Sequence, residues 1–420
     1  MVTGNGRRAV LLVANAAAPY SRAWRVGRSL AAAGWQVEIA AVAEGDHPRE
    51  ERDGELLIRR YAPRGPFAFV ATARTAKRGG VIGRLRSYGI AAVKLVAWPA
   101  HVRGWWAALR AELPPADLYH AFGILTIGVA EDLAARSRAA GRRAVVVYDV
   151  IDVILESNNI ERVPGPVLAW YRRKERGWVR RADAVITVND PIADHLAATW
   201  QLVVRPTVLL NCQPRWTVPE PRPNLIRAAT GIPAERQIVV FLGRLGRERG
   251  LEEAAEAVLT LPDAALVLIG FGPWEERLRA KDADLRYAGR HFTLPPVHPD
   301  AVPAWTASAD ASIIAVPANS LNQRLSTPNK FWESLTAGTP VVVGRDLEVM
   351  REIVERDGVG AIADPADPAD LARALGPLLG SAEAAASARQ RCIAITRDRY
   401  CWETAVVPYL DLVVALTGSA

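Results

Sequence analysis

Two short stretches in the second half of the chain carry residue types suited to holding a diphosphate. In the first, Arg244 and Arg249 flank the turn of Gly243-Arg-Leu-Gly-Arg-Glu-Arg-Gly250. Two guanidinium groups so placed can close on a pyrophosphate and stabilise charge as its bond to a sugar breaks. Arg249 also falls near the start of a helix expected over Leu251 to Leu259, where a cation meets the wrong end of the dipole and a bound anion reverses the penalty. The second stretch reads Ser326-Thr327-Pro328-Asn329-Lys330, with Glu333 and Gly338 following. Thr327 is the expected cap of a short helix, Pro328 its first residue and Gly338 the left-handed turn that ends it. Free backbone N–H groups at such a tip attract an anion, and Glu333, one turn in, reaches hydroxyls attached to it. At 100° per residue Phe331, Trp332 and Leu335 share a core face, leaving Asn329, Lys330, Glu333 and Thr336 on the other. The plain alternative is an exposed Lys330–Glu333 pair and surface arginines, worth a few tenths of a kcal/mol.

Four further candidates are single residues. His120 and Asp149 close the apolar runs Asp117-Leu-Tyr-His120 and Ala144-Val-Val-Val-Tyr-Asp149, at strand ends where ligands collect in open parallel sheets. Each is equally a loop cap or an internally satisfied hydrogen-bonder. Gly270 and Gly272 in Gly270-Phe-Gly272-Pro permit close backbone approach, but the position of a third fingerprint glycine is Glu275.

The elements that must position these groups alternate strand and helix. Ala9 to Asn15, Ser21 to Ala33 and Gln36 to Val42 form an opening βαβ unit. Further strands are expected at Leu56 to Arg60, at the two runs ending in His120 and Asp149, and at Ala182 to Val188 and Thr207 to Leu210. After the proline-rich stretch 213–224, parallel-sheet logic restarts with strands at 238–242, 266–269, 292–296 and 311–316. The fold class is therefore α/β, with domains at 1–212 and 225–400, the linker between them and a final helical segment 401–420 broken by Pro408. A length of 420 residues suits two cores of about 150 to 200 residues each. On the first helix Arg22, Arg25 and Arg28 recur every third residue, the pattern of a solvated face.

Three cysteines without framework or metal spacing favour free thiols in a reducing cytoplasm. No uncharged apolar run approaches the ~20 residues that span a bilayer. The net charge of +7 is concentrated: no Asp or Glu lies between Glu55 and Glu112, where basic residues alternate with Phe67, Phe69, Tyr88, Trp98, Trp105 and Trp106. Residues 64–110 thus suit either docking on an anionic membrane face or the rim of an acceptor pocket. No nucleic-acid recognition motif accompanies the charge.

Gly243-Arg244-x4-Arg249-Gly250, some eighty residues before Pro328-Asn329-Lys330-x2-Glu333-x4-Gly338-x-Pro340-Val-Val, resembles the retaining glycosyltransferases of family 4. The likeness implies a GT-B architecture, two Rossmann-like domains with parallel sheets facing across a cleft, and a C-terminal helix returning to the first. It implies a metal-independent transferase that moves a sugar from a nucleoside diphosphate, UDP by expectation, to an acceptor hydroxyl, without a further cofactor. In that reading Arg244 and Arg249 contact the diphosphate and Glu333 takes the ribose hydroxyls. Val297 lies in the loop whose backbone reads the base, and Ser326 to Lys330 form the turn at sugar and phosphate, while Gly272 lies beside the donor. His120 and Asp149 become catalytic candidates. The chain departs from the family's commoner pattern at Leu325, where a first glutamate usually stands, as in a branch with a Pro-x-Lys turn. It departs again at Phe122 and at Ile151-Asp152, where histidines and a glutamate are usual. A nucleotide-sugar epimerase or hydrolase, and a non-catalytic nucleotide-binding subunit, stay open.

Overall fold

The computed structural model describes residues 6–18, 20–64, 102–157 and 163–418. Most of the basic-aromatic stretch 64–110 lies outside them. The chain divides into two compact units, one of residues 1–155, 159–209 and 406–420, the other chiefly 210–405.

The first unit is built on β1 (Arg8–Leu12), α1 (Ser21–Ala32), β2 (Gln36–Val42), β3 (Glu50–Asp53), β4 (Leu56–Tyr61), β5 (Leu118–Phe122), α2 (Ile124–Ala139), β6 (Val145–Val150), β7 (Ala184–Thr187) and β8 (Thr207–Val208). The strands form one sheet in the order β3-β4-β2-β1-β5-β6-β7-β8. All pairings are parallel except β3 with β4. β3 is an addition to the sequence reading, which a polar Glu-Glu-Arg-Asp run does not announce. Burial along β5 and β6, and along β1 after Arg8, is unbroken, as expected of a parallel sheet covered on both faces.

The second unit holds β9 (Gln237–Arg244), α3 (Leu251–Thr260), β10 (Ala264–Phe271), β11 (His291–Leu294), β12 (Ala311–Ile314), α4 (Asn329–Thr336), β13 (Val341–Gly344) and β14 (Gly360–Ala363). Its all-parallel sheet runs β11-β10-β9-β12-β13-β14. Alternation along β9 feeds two cores. Ile238, Val240 and Leu242 pack with Val267 and Ile269, whereas Val239 and Phe241 join Leu266, Leu268 and Leu251 of α3. In each sheet the chain reverses its direction of growth once, between β1 and β5 in the first and between β9 and β12 in the second. Such switch points leave a crevice at the carboxyl ends of the strands.

Three local expectations are corrected. α1 is not solvated on its arginine side, because Arg22 and Arg25 are buried and only Arg28 is exposed, paired with Asp53. α4 starts at Asn329 with Pro328, not Thr327, at its cap, and no side chain caps it. Proline holds φ at −67° and its carbonyl receives the N–H of Phe331 at 3.0 Å, so the first turn closes without a hydroxyl. Thr336 is buried rather than outward, since α4 is covered by helices on more than its Phe331–Trp332–Leu335 face. Gly338 does end the helix in a left-handed conformation, φ 68°, its N–H bonded to Leu335 O.

Pro408 begins a new helix. Residues 402–405 and α5 (Val407–Thr417) are separate, Pro408 sits in the first turn of α5, and α5 belongs to the first unit. Of the aromatic residues in 64–110, Trp105 is wholly buried with its indole N–H on Ala41 O at 2.9 Å, so it is core rather than interfacial.

Candidate active site

The second switch point gathers most of the residues named for the diphosphate. Parallel strands β9 and β12 end side by side, and the turn after β9 is pressed against β12. Gly250 fixes that turn. Its φ is 64°, and a Cβ there would lie 2.1 Å from Ala315 O, so any side chain would strain the backbone and displace it. Arg244 is the last residue of β9 and is exposed; Arg249 closes a 3₁₀ turn and is half-buried.

Lys330, in the first turn of α4, reaches back over β9. Its Nζ lies 3.7 Å from the centroid of the Phe241 ring and 3.2 Å from where a Cβ on Gly243 would stand. The missing side chain at Gly243 thus makes room for the lysine. Burial pulls the ammonium down to a pKa of about 7; the nearby Arg249 guanidinium acts in the same direction, and Glu333 opposes them. The structure therefore draws Arg249, Lys330 and Glu333 into one electrostatic neighbourhood.

The residues leading into α4 have divided tasks. Ser326 Oγ donates to Asn322 O and closes the preceding helix, Leu321–Leu325. Thr327 Oγ1 is buried and has no hydrogen-bond partner among the described residues. Asn329 Oδ1 accepts from Asn211 Nδ2 at 2.7 Å, which ties the helix start to the segment after β8. Leu325 is a buried apolar side chain. Val297 leans on the core beside Ile238 and Leu242, leaving its backbone in a loop after β11.

Gly272 allows a close approach within the chain itself. A Cβ on it would lie 2.0 Å from Leu245 O, in the turn after β9. The 271–274 turn and the 244–246 turn are laced together by Leu245 N–H to Phe271 O at 2.9 Å and Trp274 N–H to Leu245 O at 3.2 Å.

In the first unit the structure brings His120 and Asp149 together, but in a closed network. Asp149 accepts from Arg22 through Nε at 2.8 Å and Nη2 at 3.0 Å, and Arg22 Nη1 donates to Leu209 O. His120 Nε2 meets Asp149 Oδ2 at 3.2 Å, its Nδ1 meets the Tyr409 hydroxyl at 2.9 Å, and its ring lies 4.3 Å from that of Phe122. All four polar side chains are buried. Burial lowers the His120 pKa, against the pull of Asp149, and so favours the neutral ring. Burial alone would raise Asp149, yet Arg22 and His120 together hold it below the usual carboxylate range. These are the surroundings of a satisfied internal network, with each partner engaged inside the unit.

Sequence reasoning missed Arg22 and Tyr409 as members of that network and Phe241 as the floor under Lys330. The burial of Arg22 beside Val26 and Leu30 was hidden because arginine spacing alone does not reveal a buried carboxylate on β6. Among the described residues no group of three or more His, Cys, Asp or Glu could hold a metal ion.

Residues 224–399 match the family described as glycosyl transferases group 1. Over 365 residues the chain is 26% identical to the 2-deoxystreptamine glucosyltransferase of Streptomyces kanamyceticus, covering 83% of this chain and 86% of that protein. Its fold is that of sucrose-phosphate synthase from Thermosynechococcus elongatus, with a TM-score of 0.70, 16% identity and 98% and 99% of the two chains covered. It is also that of Anabaena HepE in complex with UDP, with a TM-score of 0.68, 14% identity and 97% and 100% covered. The chain therefore has the GT-B fold class of two α/β domains with parallel sheets, and its relatives support a glycosyltransferase.

Proposed function

We propose that the protein transfers a sugar from a nucleoside diphosphate to an acceptor hydroxyl, with retention at the anomeric carbon and without a metal ion. The observation that carries this reading is the gathering of Arg249, Lys330 and Glu333 at the carboxyl end of β9, beside the start of α4. Cations and helix N–H groups on one side and a carboxylate on the other match a diphosphate attached to a ribose. UDP is the nucleotide to expect, in line with the UDP complex of HepE. Glu333 would take the ribose hydroxyls, the Ser326–Lys330 turn the sugar and phosphate, and the backbone at Val297 the base. With the acceptor attacking on the leaving-group side, the departing diphosphate can itself receive the proton, while Arg244 and Arg249 stabilise its charge. Leu325 offers no carboxylate, so the sugar's hydroxyls are read by other groups.

Thermal stabilisation by a panel of nucleotide sugars tests the donor, since a ligand bound only by the native state raises its melting temperature. Labelled transfer to an acceptor panel that includes 2-deoxystreptamine then tests the reaction. Failure of every nucleotide sugar to bind would sink the proposal. Donor breakdown without acceptor would identify the hydrolase or epimerase reading, and binding without turnover until another chain is added would identify the partner-subunit reading. We also propose that residues 64–110 dock on an anionic membrane from the cytoplasmic side. Salt-sensitive sedimentation with anionic vesicles supports this, and no sedimentation refutes it.

A further inference from the structure

Phe271 ends β10 with its ring in water. It is 61% exposed, and among the described residues it is the only exposed aromatic side chain of the second unit. Its counterpart in the first unit, Trp170, packs edge-on against Tyr171 and lies under Lys174, whereas the Phe271 ring has no ring or cation partner among the described residues. Single exposed apolar side chains are common, and what sets this one apart is its place. The β9–β10 ladder ends on the pair Arg244–Phe271, so the two side chains leave the sheet side by side on one face. That face continues the one of Leu242 and Ile269, the core on which Val297 leans. Ile269 pairs with Leu294, the last residue of β11, so Phe271 stands beyond the end of that strand, where the loop to Val297 departs. The backbone is held there. Phe271 O accepts from Leu245 N–H at 2.9 Å, and Gly270 lets β10 lie tight against Gly243, whose carbonyl oxygen would be 1.9 Å from a Cβ.

We propose that the Phe271 ring is the stacking platform for the base of the nucleoside diphosphate. This rests on the donor reading above and adds to it the side chain that holds the base by its face. With the diphosphate on the arginines of the turn after β9, the base has to lie along the carboxyl edge of the sheet, between Arg244 and the loop at Val297. Backbone groups of that loop can hydrogen-bond the edge of a base, but they give its flat face nothing to lie on. A phenyl ring beside Arg244 does, and removing both rings from water favours the bound state. Phenylalanine carries no hydrogen-bonding group, so the contact is by π-face and apolar area alone. Such a stack strengthens UDP and GDP alike and leaves the choice between them to the loop.

Titration calorimetry of the full chain with UDP, and with GDP, tests the platform. Phe271→Ala should raise the Kd of the nucleotide that the wild type binds by about five- to 150-fold, the loss of one base–aromatic stack. Phe271→Trp should bind close to the wild type. Phe271→Leu, which keeps most of the apolar area without a π-face, should stay weak. Because the side chain is exposed, the melting temperature of each variant without nucleotide should match that of the wild type. Undiminished binding by Phe271→Ala, or equal binding by Phe271→Leu and Phe271→Trp, overturns the platform while leaving the nucleotide site in place. So does a loss of affinity accompanied by a fall in the nucleotide-free melting temperature, which would make the ring a part of the fold. Absence of binding by both nucleotides in the folded wild type overturns the donor reading and the platform together.

Discussion

Arg244 and Arg249 differ in setting though they share a turn: one is exposed at a strand end, the other half-buried beside Lys330. Replacing either by alanine should lower turnover by about two orders of magnitude, the usual loss for a group that stabilises transition-state charge. Single-turnover kinetics with a proven donor would check it, and near-normal rates in both variants would refute their role. Asp149 calls for a different measurement. Asp149→Asn leaves the Arg22 guanidinium buried opposite a neutral amide, and breaking such a pair costs about 3–5 kcal/mol. Denaturant unfolding should show that loss in the first unit, with UDP binding by the second unit retained. If instead stability were unchanged and only turnover fell, His120 and Asp149 would return as catalytic groups.

Among elements, the turn after β9 is the most tightly specified. Gly250→Ala must place a Cβ against Ala315 O in a left-handed conformation that costs about 1–2 kcal/mol by itself. It should lower both stability and nucleotide affinity. Gly246→Ala, four residues earlier, meets nothing within 4 Å among the described residues and has an extended φ of −154°, so it serves as the matched control and should be near neutral. α4 makes the opposite trade. Lys330 titrates below its unfolded value, so the cost of burying its charge is fully present below pH 7 and disappears as the pH rises through the unfolded value of 10.5. Lys330→Met should therefore raise the melting temperature at pH 6.5 while weakening UDP binding. A variant that loses both would show that the lysine stabilises the fold.

For the molecule as a whole, the final helix is a structural member of the first unit. Tyr409 and Val413 are buried there, and the Tyr409 hydroxyl completes the ring contacts of His120. Removing residues 406–420 should raise amide exchange in β1, β5 and β6 far more than in β9 and β12. The same network predicts acid sensitivity. The folded pKa values of His120 and Asp149 both lie below their ordinary values, 6.5 and 3.8, so each contributes stability that is present above those values and lost as pH falls. The first unit should thus begin to weaken below about pH 6.5, and His120→Gln, which does not titrate, should remove that early phase from thermal melts.

The alternation of apolar runs and helical patterns was enough to place most strands, the two-sheet α/β class and the break at Pro408, because burial on both faces of a parallel sheet writes itself into sequence as unbroken hydrophobic runs. Spacing alone also singled out Arg249, Lys330 and Glu333, whose closeness follows from a short turn and a single helical turn at one switch point. The sequence could not say which polar groups are already satisfied within the fold. Arg22 reads as a surface residue until Asp149 arrives from 127 positions away, Gly272 turns out to admit the backbone of Leu245, and Lys330 reads as half of a surface pair until it is seen half-buried over the Phe241 ring in the space left by Gly243. Desolvation and partner choice are properties of contacts between distant segments, and only the folded chain sets them.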